Sequence, residues 1–253
     1  MRIKHLCFLL ATTLAAAEVP FTWNGSVAAG QTIEIKGVNG EVRAERAMSG
    51  QVEVSATRSG RKNDPNEVKI EVVPHGGGIT ICAVYPGEDN RCAPGKEGRM
   101  NVRNNDVKVD FAVRVPAGVN FVGKTVNGGV TAKNLMGDVK ANTVNGDINV
   151  TASGVATGAT VNGNVEIAMS GTVSGPLEFK TVNGTIDVII NGAVNAEFAA
   201  STVNGTIRLD HPISIQGTVT ARKISGKMGA GGPELRMSTV NGDIKLRRSG
   251  GSI

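Results

Sequence analysis

The sequence is poor in aromatic residues, in cysteines and in long apolar runs, and each scarcity excludes a class of protein. Aromatic side chains make up 3% of the 253 residues, so a hydrophobic core must be built from Val, Ile and Ala. Beyond the first residues, no segment is apolar for long enough to cross a bilayer as a helix. Cations exceed acidic residues by only five and are scattered. A nucleic-acid groove requires clustered cations interleaved with aromatics, so no nucleic-acid partner is expected.

The first residues have the pattern of a secretory signal peptide. Arg2 and Lys4 form a basic start, and residues 6–17 form an apolar run too short to span a membrane. Three alanines precede Glu18, which predicts cleavage after Ala17. A buried N-terminal helix or strand is the alternative. The pattern predicts a signal peptide over residues 1–17 and a mature chain that is periplasmic, extracellular or at the cell surface.

Removal of residues 1–17 would leave two cysteines, Cys82 and Cys92. An even pair in an exported protein predicts a disulfide, which would close a Pro- and Gly-rich loop over residues 85–105. It would stabilise the fold by roughly 2–3 kcal/mol. Two thiols without a neighbouring His do not complete a zinc site, and His75 and His211 are isolated. No metal or cofactor is expected.

A short motif, Thr-Val-Asn-Gly, recurs through the second half of the chain. Its six copies contain the pairs Asn127-Gly128, Asn145-Gly146, Asn162-Gly163, Asn183-Gly184, Asn204-Gly205 and Asn241-Gly242. A degenerate copy begins at Lys223, and an isolated Val-Asn-Gly surrounds Asn39. From Asn127 onward, the degenerate copy included, the steps are 18, 17, 21, 21, 21 and 16 residues, the length of one rung of a β-solenoid.

The residues after each motif alternate between polar and aliphatic, as in a strand with one buried face. Asn-Gly is also a strong hairpin signal, which would make the region an antiparallel meander. In a two-residue hairpin, however, Val182 and Ile186 would face opposite ways. If the strand continues through Asn-Gly, Val182, Ile186 and Val188 share one buried face. A face change is costly wherever one side is buried, so the pattern favours parallel rungs of a β-helix.

Parallel stacking predicts a role for each position of the motif. Asn side chains about 4.8 Å apart would form a hydrogen-bonded ladder, and Gly would permit a bend. Two outward columns are expected. The first contains Thr125, Thr143, Thr160, Thr181, Thr202 and Thr239. The second contains Asp147, Asn164, Thr185, Thr206 and Asp243.

The first half has strand patterns but only the isolated motif copy. Candidate strands cover residues 32–36, 41–45, 51–57, 67–73, 78–85 and 107–115. A solenoid requires its open ends to be covered, because an unpaired rung is a template for aggregation. The sequence therefore predicts a β-rich N-terminal cap over residues 18–116, a solenoid over residues 117–248 and a short tail over residues 249–253.

Residues 109–115, followed by Pro116-Ala117-Gly118 and then by Thr-Val-Asn-Gly repeats, resemble the bacterial putative-adhesin family of β-strand-repeat domains of unknown function. The resemblance covers roughly residues 33–246. It implies a right-handed β-helix, export or surface exposure, and no established activity. It supplies no catalytic residues.

The function expected is therefore a non-catalytic binding or structural role at the cell envelope. A regular outward array suits a repetitive partner such as an envelope polysaccharide, or a surface protein. The alternative is a polysaccharide lyase or hydrolase, since parallel β-helices host both. Such enzymes need clustered carboxylates, whereas Asp147, Glu166, Asp187 and Asp243 are dispersed along the rungs. The glycine pattern does not form the nonapeptides of a calcium-bound repeat. An ice- or crystal-binding Thr array would require more uniform neighbouring columns.

Overall fold

The computed structural model describes residues 19–215 and 219–249, which are almost entirely β-structure. The predicted signal peptide with its cleavage at Ala17, and residues 250–253 of the tail, lie outside the described residues. The strands of the first half are β1 Val19–Gly25, β2 Thr32–Lys36, β3 Val42–Arg46, β4 Val52–Ser59, β5 Lys69–His75, β6 Gly78–Val84 and β7 Lys108–Val115. A single 3₁₀ turn, Pro65–Glu67, precedes β5.

The strands of the second half are shorter and more regular. They are β8 Asn120–Lys124, β9 Val130–Leu135, β10 Val139–Asn142, β11 Ile148–Ala152, β12 Ala156–Ala159, β13 Val165–Met169, β14 Leu177–Lys180, β15 Ile186–Ile190, β16 Ala196–Ser201, β17 Ile207–Leu209, β18 Ile213–Ile215, β19 Lys223–Met228, β20 Glu234–Ser238 and β21 Ile244–Arg247.

Two sheets contain all these strands. Sheet A has the order β1-β4-β7-β3-β9-β11-β13-β15-β21-β17. Sheet B has the order β18-β19-β16-β20-β14-β12-β10-β8-β2-β6-β5. Each rung contributes one strand to each sheet, and the chain passes from sheet B to sheet A through the motif, as from β8 through residues 125–128 to β9.

Neighbouring rungs are parallel, as the pairings of β11 with β9 and with β13 show. Parallel stacking is therefore confirmed, and the antiparallel meander is wrong. The prediction of one strand continuing through Asn-Gly is also wrong. The motif is a corner between two sheets, because the strand before it and the strand after it belong to different hydrogen-bonded ladders.

The rungs do not stack in the order of the sequence. The rung of β20 and β21 comes last in the chain, yet β20 lies between β14 and β16, and β21 lies between β15 and β17. The C-terminal rung is thus inserted between two rungs formed by earlier residues. All six full motif copies remain in one continuous stack despite this change of order.

Two assignments of repeat copies need revision. The isolated copy at Asn39 is bridged in parallel to Asn127, so β2 and β3 form the first rung of the stack. The degenerate copy at Lys223 is not a rung. It lies in β19, which runs antiparallel to β16 and ends sheet B together with β18. Its Ser225 replaces the Asn of the motif and therefore offers no amide to the ladder.

The core lies between the two sheets and is filled mainly by alternate residues of the strands, as in β7 and β13. Ile148, Val165, Ile186 and Ile244, each two residues after a motif glycine, are fully buried. Aliphatic residues dominate this core as predicted, and the scarce aromatics reinforce it. The fully or almost fully buried phenylalanines are Phe111, Phe121, Phe179 and Phe198.

The first half extends the same sheets rather than starting new ones. All six strand candidates are present, with bounds shifted by no more than two residues, and β1 was not predicted. Strands β4 and β1 add antiparallel partners to sheet A beyond β7, and β5 does so for sheet B beyond β6. Within residues 19–215 and 219–249, no helix has the length and hydropathy needed to cross a membrane.

Candidate functional site

The motif threonines point into the protein, contrary to the outward column expected. Thr125, Thr143, Thr160, Thr181, Thr202 and Thr239 are only 1–7% exposed. Each hydroxyl donates to the carbonyl of the motif glycine in the adjacent rung, for example Thr143 Oγ1 to the Gly128 oxygen at 2.7 Å. These bonds satisfy carbonyls that the corner would otherwise bury without a partner. The threonines are therefore part of the scaffold and not a display surface.

The motif valines point outward, contrary to the buried position expected. We call this column the valine ridge: Val126, Val144, Val161, Val182, Val240 and Val203, in spatial order. Val182 is half-buried, and the other five are 37–55% exposed. The prediction that these valines are buried is wrong because the corner interrupts the two-residue alternation between the valine and the aliphatic residue four places later. At about 4.8 Å per rung the ridge is roughly 24 Å long.

The motif asparagines form the ladder that the sequence predicts. Each Nδ2 donates to the Oδ1 of a neighbouring Asn at 2.7–2.9 Å, from Asn39 through Asn183 and Asn241 to Asn204. At the first rung, Asn39 Nδ2 points to the carbonyl of Val107 at 3.4 Å. The amides lie beside the valine ridge, and their mutual bonds fix their orientation. The corner therefore presents a rigid double column of isopropyl and amide groups.

The motif glycines are required because successive corners are closely stacked. A Cβ on Gly184 would lie 2.0 Å from the carbonyl oxygen of Gly163, and a Cβ on Gly163 would lie 2.1 Å from that of Gly146. Gly163 also has a φ of +155°. A side chain at these positions would push the rungs apart, so glycine sets the spacing that the ladder needs.

The second expected column does face outward, and its side chains link one rung to the next. Asp147 Oδ1 accepts from the backbone N–H of Asn164 at 2.7 Å, and Asn164 Oδ1 accepts from that of Thr185 at 2.9 Å. Asp243 Oδ1 accepts from both the N–H and the hydroxyl of Thr206, and these bonds lower the pKa of Asp243. This column is therefore largely occupied by bonds within the stack.

The remaining dispersed carboxylates are also engaged by neighbouring rungs. Glu166 accepts from Asn149 at 3.1 Å, and Asp187 accepts from Arg247 at 2.7 Å. Among the described residues, no three His, Cys, Asp or Glu side chains come together as a metal-binding group would. The arrangement supports a stacked scaffold rather than an acid–base pair.

The disulfide between Cys82 and Cys92 is present and holds a loop against the first two rungs. Beside it lies a polar cluster that the sequence analysis missed. Glu34, only 5% exposed, accepts from Lys124 Nζ at 2.6 Å, from the Thr80 hydroxyl and from the Gly95 N–H. Lys36 Nζ donates to loop carbonyls of Ala93 and Glu97. The available signal was a Lys directly before two consecutive corners, at positions 36 and 124.

Comparison with known proteins agrees with the family resemblance. Residues 139–247 match the family described as Toastrack DUF4097, which confirms the resemblance over those residues. Comparison with curated proteins found no significant match. Among solved structures, a putative cell adhesion protein from Clostridium sporogenes ATCC 15579 is 12% identical, with a TM-score of 0.50 over 92% of this chain and 100% of its own. This likeness shows the fold.

Two other solved structures are more distant. A putative adhesin from Bacteroides fragilis NCTC 9343 is 14% identical, with a TM-score of 0.38 over 93% of this chain and 100% of its own. One from Parabacteroides distasonis ATCC 8503 is 13% identical, with a TM-score of 0.31 over 92% and 98%.

Proposed function

We propose that this chain, whose residues 139–247 match the Toastrack family, is an exported, non-catalytic β-solenoid that binds a cell-envelope polysaccharide. The observation that carries the proposal is the corner of the stack. Valine side chains repeat there at the rung spacing beside a ladder of asparagine amides. A rigid, repetitive surface suits a repetitive polymer, because equivalent contacts are added rung by rung without new ordering cost.

The chemistry of the corner fits sugars better than a charged polymer. The valine ridge offers apolar contact to the C–H faces of sugar rings, and the adjoining amides offer donors and acceptors to hydroxyl groups. Export through the signal peptide predicted over residues 1–17 would bring the protein to where such polymers occur. The Cys82–Cys92 disulfide is consistent with an oxidising compartment.

The enzyme alternative has less support. Asp147, Glu166, Asp187 and Asp243 accept hydrogen bonds from neighbouring rungs, which leaves them less available for proton transfer to a sugar. We expect no release of reducing sugars or unsaturated products from common envelope polysaccharides. Release of either product by the purified chain, lost on substitution of one of these carboxylates, would favour the lyase or hydrolase reading instead.

Co-sedimentation of the mature chain with purified, insoluble envelope polysaccharide tests the proposal. Saturable binding is expected. The triple variant Val126→Ser, Val144→Ser, Val161→Ser should weaken it by about tenfold or more, since each replacement of valine by serine removes apolar contact. The matched control carries Thr131→Ser, Ala168→Ser and Ile189→Ser on the outer face of sheet A. The proposal fails if binding does not saturate, or if the control loses as much affinity as the ridge variant. Binding of an envelope protein instead would identify a different partner.

A further inference from the structure

A cavity of about 280 Å³ lies between the disulfide loop and the corners of the first two rungs. Five cationic side chains line it: Lys36, Arg91, Lys96, Arg99 and Lys124. Three carboxylates offset them, Glu97 in the wall, Glu34 on Lys124 and Asp89 on Arg99, which leaves an excess of two positive charges. The chain as a whole is only mildly basic, so this excess is a local feature.

Backbone hydrogen bonds place two of these cationic residues directly opposite each other. Arg91 and Arg99 exchange both N–H···O bonds at 2.9 and 3.2 Å, so they are directly opposite in an antiparallel bridge. Like charges in that arrangement repel. Arg99 pairs with Asp89 at 3.4 Å, whereas Arg91 has no carboxylate partner within residues 19–215 and 219–249. The fold therefore maintains a repulsion that a bound anion would relieve.

Hydrogen bonds fix the side chains of two lysines in the cavity wall, Lys36 and Lys124. Lys124 donates to Glu34 and to the carbonyl of Gly95, and Lys36 donates to the carbonyls of Ala93 and Glu97. Burial lowers the pKa of Lys36, with partial opposition from Glu34. A cation that is costly to desolvate gains from an added anion. These bonds also hold the loop over the cavity, so the cations are arranged before any ligand arrives.

Apart from Thr125, the rest of the wall carries no polar side chain among the described residues. It includes Val38, Ala83, Met100 and Val126, the last of which is the first member of the valine ridge. A cavity with a cationic rim and an apolar wall suits an oxyanion attached to a short hydrocarbon group. Arginine forms bidentate bonds to phosphate and carboxylate oxygens, and the volume is that of a small molecule rather than a polymer chain.

We propose that this cavity binds a phosphate ester with a short apolar stem, a ligand different from the polysaccharide proposed for the ridge. Hexyl phosphate serves as the probe, measured by titration calorimetry on the oxidised, signal-free chain. Saturable binding at one site per chain is expected, at least about tenfold tighter than inorganic phosphate because the stem contacts the apolar wall. Heat that does not saturate, or equal affinity for the two probes, would overturn the proposal.

Variants locate the site. Arg91→Ala with Lys96→Ala should weaken hexyl phosphate binding by about ten- to a hundredfold, as expected for lost charge-assisted bonds. Both side chains are exposed, so the fold should be kept, and a thermal melt verifies this. Lys133→Ala removes an exposed cation from sheet A and should leave affinity within about twofold of wild type. An equal loss in that control would indicate general charge attraction and would overturn the assignment.

Vesicles distinguish the two sources of such a group. Vesicles of phosphatidylglycerol in phosphatidylcholine should bind wild type and not the Arg91→Ala, Lys96→Ala variant if the ligand is a lipid headgroup. Binding of hexyl phosphate without binding to these vesicles would indicate a soluble phosphate ester. Either result supports the cavity as the site. The proposal would be refuted if the Arg91→Ala, Lys96→Ala variant bound both the vesicles and hexyl phosphate as well as wild type does.

Discussion

Threonine and valine have nearly the same shape, yet the corner places them on opposite sides of the chain. The hydroxyl of Thr181 donates to the buried carbonyl of Gly163 at 2.9 Å, a bond that valine could not make. The sequence predicts correctly that Ile186 and Val188 are buried, because the strand after the corner alternates regularly. It could not predict the exposure of Val182, since alternation is interrupted by a bend whose place depends on which sheet each flanking strand joins.

Replacement of the motif threonine by valine tests this division of roles. Thr181→Val should lower the free energy of unfolding by about 1–2 kcal/mol, because it leaves the Gly163 carbonyl buried without its side-chain donor. Val182→Thr, the reverse exchange at the adjacent half-buried position, should change it by less than about 0.5 kcal/mol. Urea denaturation of both variants measures the difference. A larger loss of unfolding free energy in Val182→Thr than in Thr181→Val would indicate that Val182, and not Thr181, is buried.

Glu34 makes stability depend on pH. Burial alone would raise the pKa of Glu34, but bonds from Lys124, the Gly95 N–H and Thr80 outweigh it, so the pKa lies below its ordinary value of 4.5. A lowered folded-state pKa contributes stability above the unfolded value and loses it as pH falls through the folded value. Wild type should therefore exceed Glu34→Gln in stability at pH 6, and the gap should close below pH 4.5. Melting curves from pH 6 to pH 3 with a constant gap would contradict this.

At the scale of the element, the unit is a rung: a strand in sheet B, a corner and a strand in sheet A. The spacing of Asn-Gly pairs predicts the rungs and the Asn ladder correctly, because a ladder requires identical residues at identical places. The sequence pattern also predicts a rung from Lys223, because Lys-Ile-Ser-Gly retains the motif glycine and the alternation of polar and aliphatic residues. This prediction is wrong. The deciding difference is Ser225, which cannot continue the ladder and lies in an antiparallel strand instead.

Glycine at the corner sets the distance between rungs. Gly184→Ala should lower the free energy of unfolding by about 1–3 kcal/mol, because the new methyl group would lie 2.0 Å from the Gly163 carbonyl oxygen. Gly175→Ala is the matched control within the same repeat region, where a Cβ meets no atom within 4 Å. Thermal denaturation of the pair gives the comparison. Equal melting temperatures would mean that the corners are not closely stacked.

At the scale of the whole molecule, the order of rungs in space departs from their order in the chain. The rung of β20 and β21 fills a slot between rungs built from residues 177–190 and 196–209. No periodicity can predict this, because rungs with the same motif can exchange places without changing any local pattern. Between β17 and β20, the chain forms the antiparallel strands β18 and β19. It then returns to add the rung of β20 and β21 between the two earlier rungs.

Removal of the inserted rung should therefore disrupt the stack from within. A chain ending at residue 232 loses four buried apolar residues, Leu235, Met237, Ile244 and Leu246, each worth roughly 1.5–3 kcal/mol on burial. It also exposes strand edges on both neighbouring rungs, which favours aggregation. We expect a lower, broader melting transition and larger species in gel filtration. A chain ending at residue 249 is the control; similar behaviour of the two would show that the last rung lies at an end of the stack.

Thiol labelling in the native state tests the central feature, a corner that buries threonine and exposes valine. Single cysteines are introduced as Val161→Cys and Thr160→Cys, with Cys82 and Cys92 kept oxidised, and a water-soluble maleimide reports accessibility. The exposed Val161 position should react at nearly the rate of the unfolded chain, and the buried Thr160 position at least about a hundredfold more slowly, limited by opening of the structure. Fast labelling at position 160 with protection at position 161 would contradict the structure of the corner and the ridge built on it.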